Sequence, residues 1–212
     1  MLEALVRRSS FAPKESVLLV LLHGLGADEQ DLMGLADQLD PRLTVVCFRA
    51  PMACSFGGYA WFDVSWNADG VHADAEQAIV SRDILIDILP GLPARLGMES
   101  ERMFLGGFSQ GAMMSLGVSV ARPDIVLGTL VLSGRILPEF VSEKPAPGFE
   151  NVPFYVQHGT RDEVLPVEGG RAIERYLVGS GCQATYREFP MGHEINLASL
   201  QEMNRWLTAR LA

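Results

Sequence analysis

The sequence predicts an α/β fold, a mostly parallel central sheet with helices on both faces. Three observations lead there. Short, almost unbroken apolar runs recur along the chain, Val17–Leu22 and Leu43–Phe48 first among them, and a strand that is apolar at every position is buried on both faces. Between the runs lie stretches with the three- and four-residue apolar spacing of helices, long enough to form the crossovers that parallel strands require. The 212 residues, 48% hydrophobic and 20% charged, supply one core, so a single domain over 1–212 with no separate lid domain is expected.

The elements follow in order. After Val17–Leu22, Asp28 is placed to cap a helix, with Asp31 in its first turn and Leu32, Leu35 and Leu39 on one face. The acidic cluster Asp28-Glu29-Asp31 therefore reads as a helix start and not as a metal site. A long connection, about 50–73, follows Leu43–Phe48 and carries Phe56, Tyr59, Trp61, Phe62 and Trp66, too much apolar surface for a disordered segment. A helix from Asp74, with Gln77 completing a capping box and Val80, Ile84 and Ile88 on one face, stops at Pro90-Gly91. Met103–Phe108 is the next strand, and a helix from Gln110 with Met113, Leu116 and Val120 in register ends before Pro123. Strands follow at 127–132, 153–157 and Ala184–Phe189, with a second long connection at about 134–152 and a helix at 167–177 that Gly179 and Gly181 end. Leu200, Met203, Leu207 and Leu211 mark a closing amphipathic helix.

Composition excludes several functions. The formal charge of −9, from 17 Lys+Arg against 26 Asp+Glu, repels phosphate backbones, and no basic cluster offsets it, so no nucleic-acid partner is expected. The longest aliphatic run is far short of the roughly 20 residues a membrane span needs. The first eight residues carry their arginines after the apolar stretch, the reverse of a secretory signal, which points to a cytoplasmic protein. Cys47, Cys54 and Cys182 are odd in number and lack ligand spacing, so they read as free thiols with no metal site. The 9 methionines and the apolar loops serve either a homodimer surface or the core.

In a parallel sheet the chemistry belongs at the carboxyl ends of the strands. Directly after Met103–Phe108 comes Gly107-Phe108-Ser109-Gln110-Gly111, a G-x-S-x-G leading into a helix, in which the serine occupies a sharp turn and the flanking glycines admit neighbouring backbone. A serine nucleophile needs a base held by an acid. Asp162, in His158-Gly159-Thr160-Arg161-Asp162-Glu163, and His193, in Pro190-Met191-Gly192-His193-Glu194, each follow a strand in the order this elbow uses. Glu163 is the neighbouring alternative to Asp162, whose shorter side chain suits a tight turn better. Two N–H donors must also face the developing oxyanion, and the candidates are the backbone of Gln110 and of Leu25 in His23-Gly24-Leu25-Gly26-Ala27. His23 precedes the serine and reads as a tie for that loop and not as the base.

With Trp61-Phe62-Asp63, Ala112 and Pro166 added, these motifs span nearly the whole chain, and together they resemble the phospholipase/carboxylesterase family of α/β-hydrolases, which includes bacterial carboxylesterases and eukaryotic acyl-protein thioesterases. The resemblance implies Ser109, Asp162 and His193 as the triad and Leu25 and Gln110 as the oxyanion hole. It implies a serine carboxylesterase for small esters of short to medium acyl chains, without a cofactor. An acyl thioesterase or lysophospholipase would use the same triad, and a non-catalytic ligand-binding module could keep the same fold. Phe56, Trp61, Phe62, Leu25, Ile136, Leu137 and Leu165 are the expected acyl-contacting residues, whereas Trp66 reads as loop core. Two departures stand out. The segment before Val17 is short for the family's first antiparallel strands, which suggests that they are trimmed. Arg135, in Ser133-Gly134-Arg135-Ile136-Leu137-Pro138, is a charged residue just past a strand end, where the family it resembles tends to be less polar, and either faces solvent or meets a substrate carboxylate.

Overall fold

The computed structural model describes residues 2–67, 70–99, 101–141 and 144–211. Along the chain run β1 (Ala4–Arg7), β2 (Val17–Leu22), α1 (Glu29–Met33), β3 (Leu43–Phe48), β4 (Met52–Ala53), β5 (Tyr59–Ala60), β6 (Val64–Asn67) and β7 (Gly70–Ala73). They are followed by α2 (Ala75–Ile88), α3 (Leu92–Arg95), β8 (Met103–Phe108), α4 (Gln110–Ala121), β9 (Val126–Leu132), α5 (Pro138–Val141), β10 (Phe154–Gly159), α6 (Glu168–Gly179), β11 (Ala184–Phe189) and α7 (Leu197–Thr208). The central sheet has seven strands in the order β1-β3-β2-β8-β9-β10-β11, parallel throughout except for β1, which runs antiparallel to β3.

Side chains alternate across each central strand and so divide the core into two layers. On β2, Leu18, Val20 and Leu22 pack with residues of α2, α4 and α6, whereas Leu19 and Leu21 face the opposite layer with Leu32 of α1 and Leu200, Met203 and Leu207 of α7. Covering both faces in this way is what a fully apolar parallel strand demands. Helix α4 lies deepest. Every residue from Gln110 to Val120 is buried, because the helix packs on β8 and β9 below and against α2 and α5 at its flanks.

Three expectations are corrected. The apolar face of α2 is Ala78, Ser81, Leu85 and Leu89, while Val80 is exposed and Ile84 and Ile88 are only half-buried. The small residues lie inward because the helix comes close enough to the 61–62 segment for Ser81 Oγ to donate to the Trp61 carbonyl. The helix expected to run to Leu39 stops at Met33, capped at Gly34, a poor helix former, and the chain resumes as a 3-10 turn over Ala36–Gln38. Asp28 does cap α1, accepting from the Gln30 N–H. The segment before Val17 keeps one antiparallel strand, with β1 paired to β3 from Ala4↔Phe48 to Arg7↔Val45. The described residues of the first long connection form the small antiparallel pairs β4–β5 and β6–β7.

Arg49, just past β3, gathers these pieces. Its guanidinium donates to both Glu29 oxygens at 2.6 and 2.7 Å, pairs with Glu3 at 2.6 Å and lies 4.6 Å from the centroid of the Tyr59 ring. The hydrogen bonds from Arg49 hold the buried Glu29 carboxyl below its ordinary range. That pairing stabilises the fold above the usual glutamate pKa and is lost as pH falls through the lower folded value. Glu29→Gln is therefore expected to lower Tm by a few degrees at neutral pH, with the gap to wild type closing in acid; a gap that does not change with pH would refute the pairing. At Gly111 a Cβ would collide with the Leu22 carbonyl. Gly111→Ala should force α4 away from β2, and thermal denaturation should show a loss far larger than the small gain that alanine brings inside an ordinary helix.

Candidate active site

Ser109 sits between β8 and α4 with φ 56° and ψ −116°, a conformation that L-residues rarely adopt. The turn closes only because both flanking glycines lack a Cβ. One at Gly107 would strike the Gly111 carbonyl and one at Gly111 the Leu22 carbonyl. The result carries the Ser109 side chain, 9% exposed, to the carboxyl edge of the sheet.

The loops after β10 and β11 bring the partners. Gly159 lets them meet, since a Cβ there would overlap the Met191 and Gly192 carbonyls, and the Arg161 N–H donates to the Met191 carbonyl at 3.0 Å. His193 Nε2 then lies 2.9 Å from Ser109 Oγ, and His193 Nδ1 lies 2.7 Å from Asp162 Oδ2. An ionised carboxylate only accepts, so Nδ1 carries the proton and Nε2 is left to accept from the serine hydroxyl. The other Asp162 oxygen accepts from the Val164 and Leu165 N–H groups at 2.9 and 2.8 Å, which fixes the carboxylate. His158, fully buried beside it, makes a 2.8 Å hydrogen bond between Nε2 and the Leu165 carbonyl and stands 3.4 Å from Asp162 Oδ2. The Phe108 ring packs 4.7 Å, centroid to centroid, from the His193 imidazole. Glu163 is exposed at the mouth of the site, while Asp162 holds the imidazole.

The loop after β2 approaches the serine from the other side, where a Cβ on Gly24 would lie 3.2 Å from Ser109 Cβ. His23 anchors it. The Ala50 N–H donates to His23 Nε2 at 3.0 Å, so the proton sits on Nδ1 and is donated to the Gly24 carbonyl at 2.7 Å. Burial lowers the pKa of this imidazole and keeps it neutral, and both of its nitrogens are committed to backbone. Beyond Leu25, the Gly26 N–H donates to the Tyr59 carbonyl and the Ala27 N–H to the Gly24 carbonyl, so the flanking amides are engaged. The N–H of Gln110, first residue of α4, has no partner within the helix. Its side chain is buried and reaches sideways, accepting from the Trp61 N–H at 3.0 Å and donating to the Phe62 carbonyl at 2.8 Å.

A cavity of about 460 Å³ opens beside Ser109 and His193. Leu25, Phe62, Val64, Val71, Met113 and Leu165 contribute its apolar wall, and Arg135 and Glu163 its charges. Four of the residues expected to touch substrate do not line it. Trp61 is fully buried behind the wall, donating from Nε1 to the His23 carbonyl at 3.0 Å, so it holds the loop in place. Leu137 is buried in the core and Ile136 packs half-buried against the same cluster. Phe56 is 70% exposed, its ring lying over Gly26 outside the cavity. The side chain of Trp66 lies outside the described residues. Sequence reasoning missed Val64, Val71 and Met113. A signal was present for the first two, since Val64-Ser65-Trp66-Asn67 and Gly70-Val71-His72-Ala73 alternate with period two, and the register Val64↔Ala73, Trp66↔Val71 places Val64 and Val71 on one face of the hairpin. Among the described residues, no group of His, Cys, Asp and Glu is placed to hold a metal ion, and no helix is long and apolar enough to cross a membrane.

The sequence profile of the phospholipase/carboxylesterase family matches residues 8–211. Acyl-protein thioesterase 1 of Eremothecium gossypii is 29% identical, over 97% of this chain and 93% of that protein. Among solved structures, the esterase PE8 superposes with a TM-score of 0.84 at 29% identity, covering 98% of both chains. The Bacillus cereus carboxylesterase shares the fold with a TM-score of 0.85 at 18% identity, over 99% of this chain and 95% of that one. With its elbow serine, its mostly parallel sheet and a family match from residue 8 to residue 211, the chain belongs to the phospholipase/carboxylesterase family of α/β-hydrolases.

Proposed function

We propose that the protein is a serine hydrolase that cleaves carboxylic esters of short to medium acyl chains through an acyl-enzyme. The observation that carries this reading is the hydrogen-bonded chain from Ser109 Oγ through His193 to Asp162 at the wall of an apolar cavity. In the first half-reaction Ser109 Oγ attacks the ester carbonyl as His193 Nε2 takes its proton, and the imidazolium that forms is stabilised by Asp162. The Leu25 and Gln110 N–H groups donate to the oxyanion of the tetrahedral intermediate. As that intermediate collapses, the C–O bond to the alcohol breaks and His193 returns the proton to the departing oxygen. Water, deprotonated by the same imidazole, then attacks the acyl-serine and releases the acid.

The acyl chain lies against Leu25, Phe62, Met113 and Leu165 in this reading, and the cavity volume suits chains of short to medium length. Thioester cleavage is a second reading, supported by the similarity to an acyl-protein thioesterase. It uses the same acyl-enzyme and differs only in the leaving group.

A fluorophosphonate probe should label the wild-type protein, and Ser109→Ala should abolish both labelling and turnover; labelling that survives in the variant would remove Ser109 from the role of nucleophile. The neighbouring carboxylates separate cleanly. Asp162→Asn is expected to lower kcat/KM on a short-chain ester by on the order of 10⁴, the loss described for the aspartate of the serine-protease template, and Glu163→Gln by less than about tenfold. The reverse order, with both variants folded by circular dichroism, would move the acid by one residue.

A further inference from the structure

Arg135 follows β9 at the carboxyl end of the sheet, half-buried, with its side chain in the wall of the cavity that contains Ser109 and His193. Its backbone is seated against the first turn of α6, where a Cβ on Gly169 would lie 3.1 Å from the Gly134 carbonyl and 3.4 Å from Arg135 Cβ. The only hydrogen bond it makes among the described residues is a long one, Nη2 to the Val71 carbonyl at 3.4 Å. No carboxylate among the described residues lies within ion-pair distance of it, although Glu163 shares the cavity. Other arginines contrast with this. Arg49, Arg82, Arg122 and Arg171 each hold a carboxylate, as expected in a chain with 26 acidic against 17 basic residues.

A guanidinium presents five N–H donors in a planar fork that matches a carboxylate. Withdrawing such a group partly from water without an anion is unfavourable, and the deficit is made good when an anion arrives. No other Lys or Arg lines this cavity among the described residues. One cation balances one negative charge, whereas a phosphate dianion would remain half-neutralised in the field of a protein with a net charge of −9. A singly charged ligand group is therefore favoured.

Building on the esterase reading above, we propose that Arg135 binds a carboxylate on the substrate, so that the esters this enzyme prefers carry a free carboxylate a few bonds from the scissile carbonyl. That carboxylate belongs either to the acyl half, as in half-esters of dicarboxylic acids, or to the alcohol half, as in acylated hydroxy acids. Arg135 is then a specificity-determining residue, and the apolar wall accommodates the carbons between the two ends.

The test compares kcat/KM within two pairs of esters, with uncatalysed hydrolysis subtracted. One pair is the half-ester of glutaric acid and its carboxamide counterpart; the other is butyrylated hydroxybenzoate and butyrylated hydroxybenzamide. In at least one pair, Arg135→Gln should lower the anionic-to-neutral ratio by about tenfold or more, Arg135→Lys should retain part of it, and high salt should depress the wild-type ratio while leaving that of the Gln variant nearly unchanged. The pair that responds identifies the half of the ester that carries the charge. Ratios that are the same in wild type and Arg135→Gln for both pairs would overturn the proposal and leave Arg135 as a side chain whose stem covers apolar surface. If neither pair is turned over by a Ser109-dependent route, the esterase reading fails by itself. Calorimetric titration with glutaramate, the singly charged monoamide of glutaric acid, then decides the anion site: binding weakened at least tenfold by Arg135→Gln sustains it, and equal or undetectable binding to both proteins ends it.

Discussion

The backbone turn at Ser109 is the constraint on which the rest of the structure depends. A non-glycine residue at φ 56° stores strain of order 1–3 kcal/mol, which persists only where the surroundings leave no alternative. Here the surroundings are β8, which ends at Phe108, and α4, which starts at Gln110 and is buried along its whole length to Val120. Relaxing the turn would tilt that helix out of both its neighbours and the sheet. The two glycines of the motif are the sites where α4 touches the strand before it and the carbonyl of Leu22 on the next strand. The burial of α4 and the strained position of Ser109 are thus one feature of the fold seen from two sides.

A buried polar network extends this rigidity to the loops. Gln110 holds the backbone of Trp61 and Phe62, Ser81 holds the Trp61 carbonyl from α2, the Trp61 indole holds the His23 carbonyl, and His23 ties the Gly24 carbonyl to the Ala50 N–H beyond β3. Each of these groups would be costly to bury alone, and each is satisfied by another member. The network joins the carboxyl ends of β2 and β3 to the start of α4, which are the elements that carry Leu25 and Gln110. In the proposed mechanism the amides of these two residues are fixed before a substrate arrives and need no reorganisation as charge develops, which is the condition for strong transition-state stabilisation.

Much of this was legible in the sequence because the signals are local. Val17–Leu22, Leu43–Phe48 and Met103–Phe108 are strands at the expected residues, since an almost continuous apolar run between turn residues has few other solutions in a parallel sheet, and Ala184–Phe189, mixed in polarity, is the edge strand β11. Ser109, Asp162 and His193 could be nominated because each follows a strand read from the sequence, and the structure brings the three side chains into one hydrogen-bonded chain. What could not be read depends on long-range packing. Aromatic character in 56–62 announced burial but not which ring would face the cavity, and Trp61 turned inward because its indole found the His23 carbonyl. The inward face of α2 was hidden for a similar reason. Ala78 and Ser81 are weakly apolar by composition, yet both are buried, and Ser81 meets the Trp61 carbonyl.

The central claim is that Ser109 carries the acyl group between two half-reactions, and acid quenching during turnover of an activated butyrate ester tests it most directly. Mass spectrometry of the digested protein is predicted to find a butyryl adduct on the peptide that contains Ser109, appearing within the first turnover and disappearing as substrate is exhausted. Steady turnover with no adduct on that peptide under any quench condition, or an adduct confined to another residue, would contradict the account.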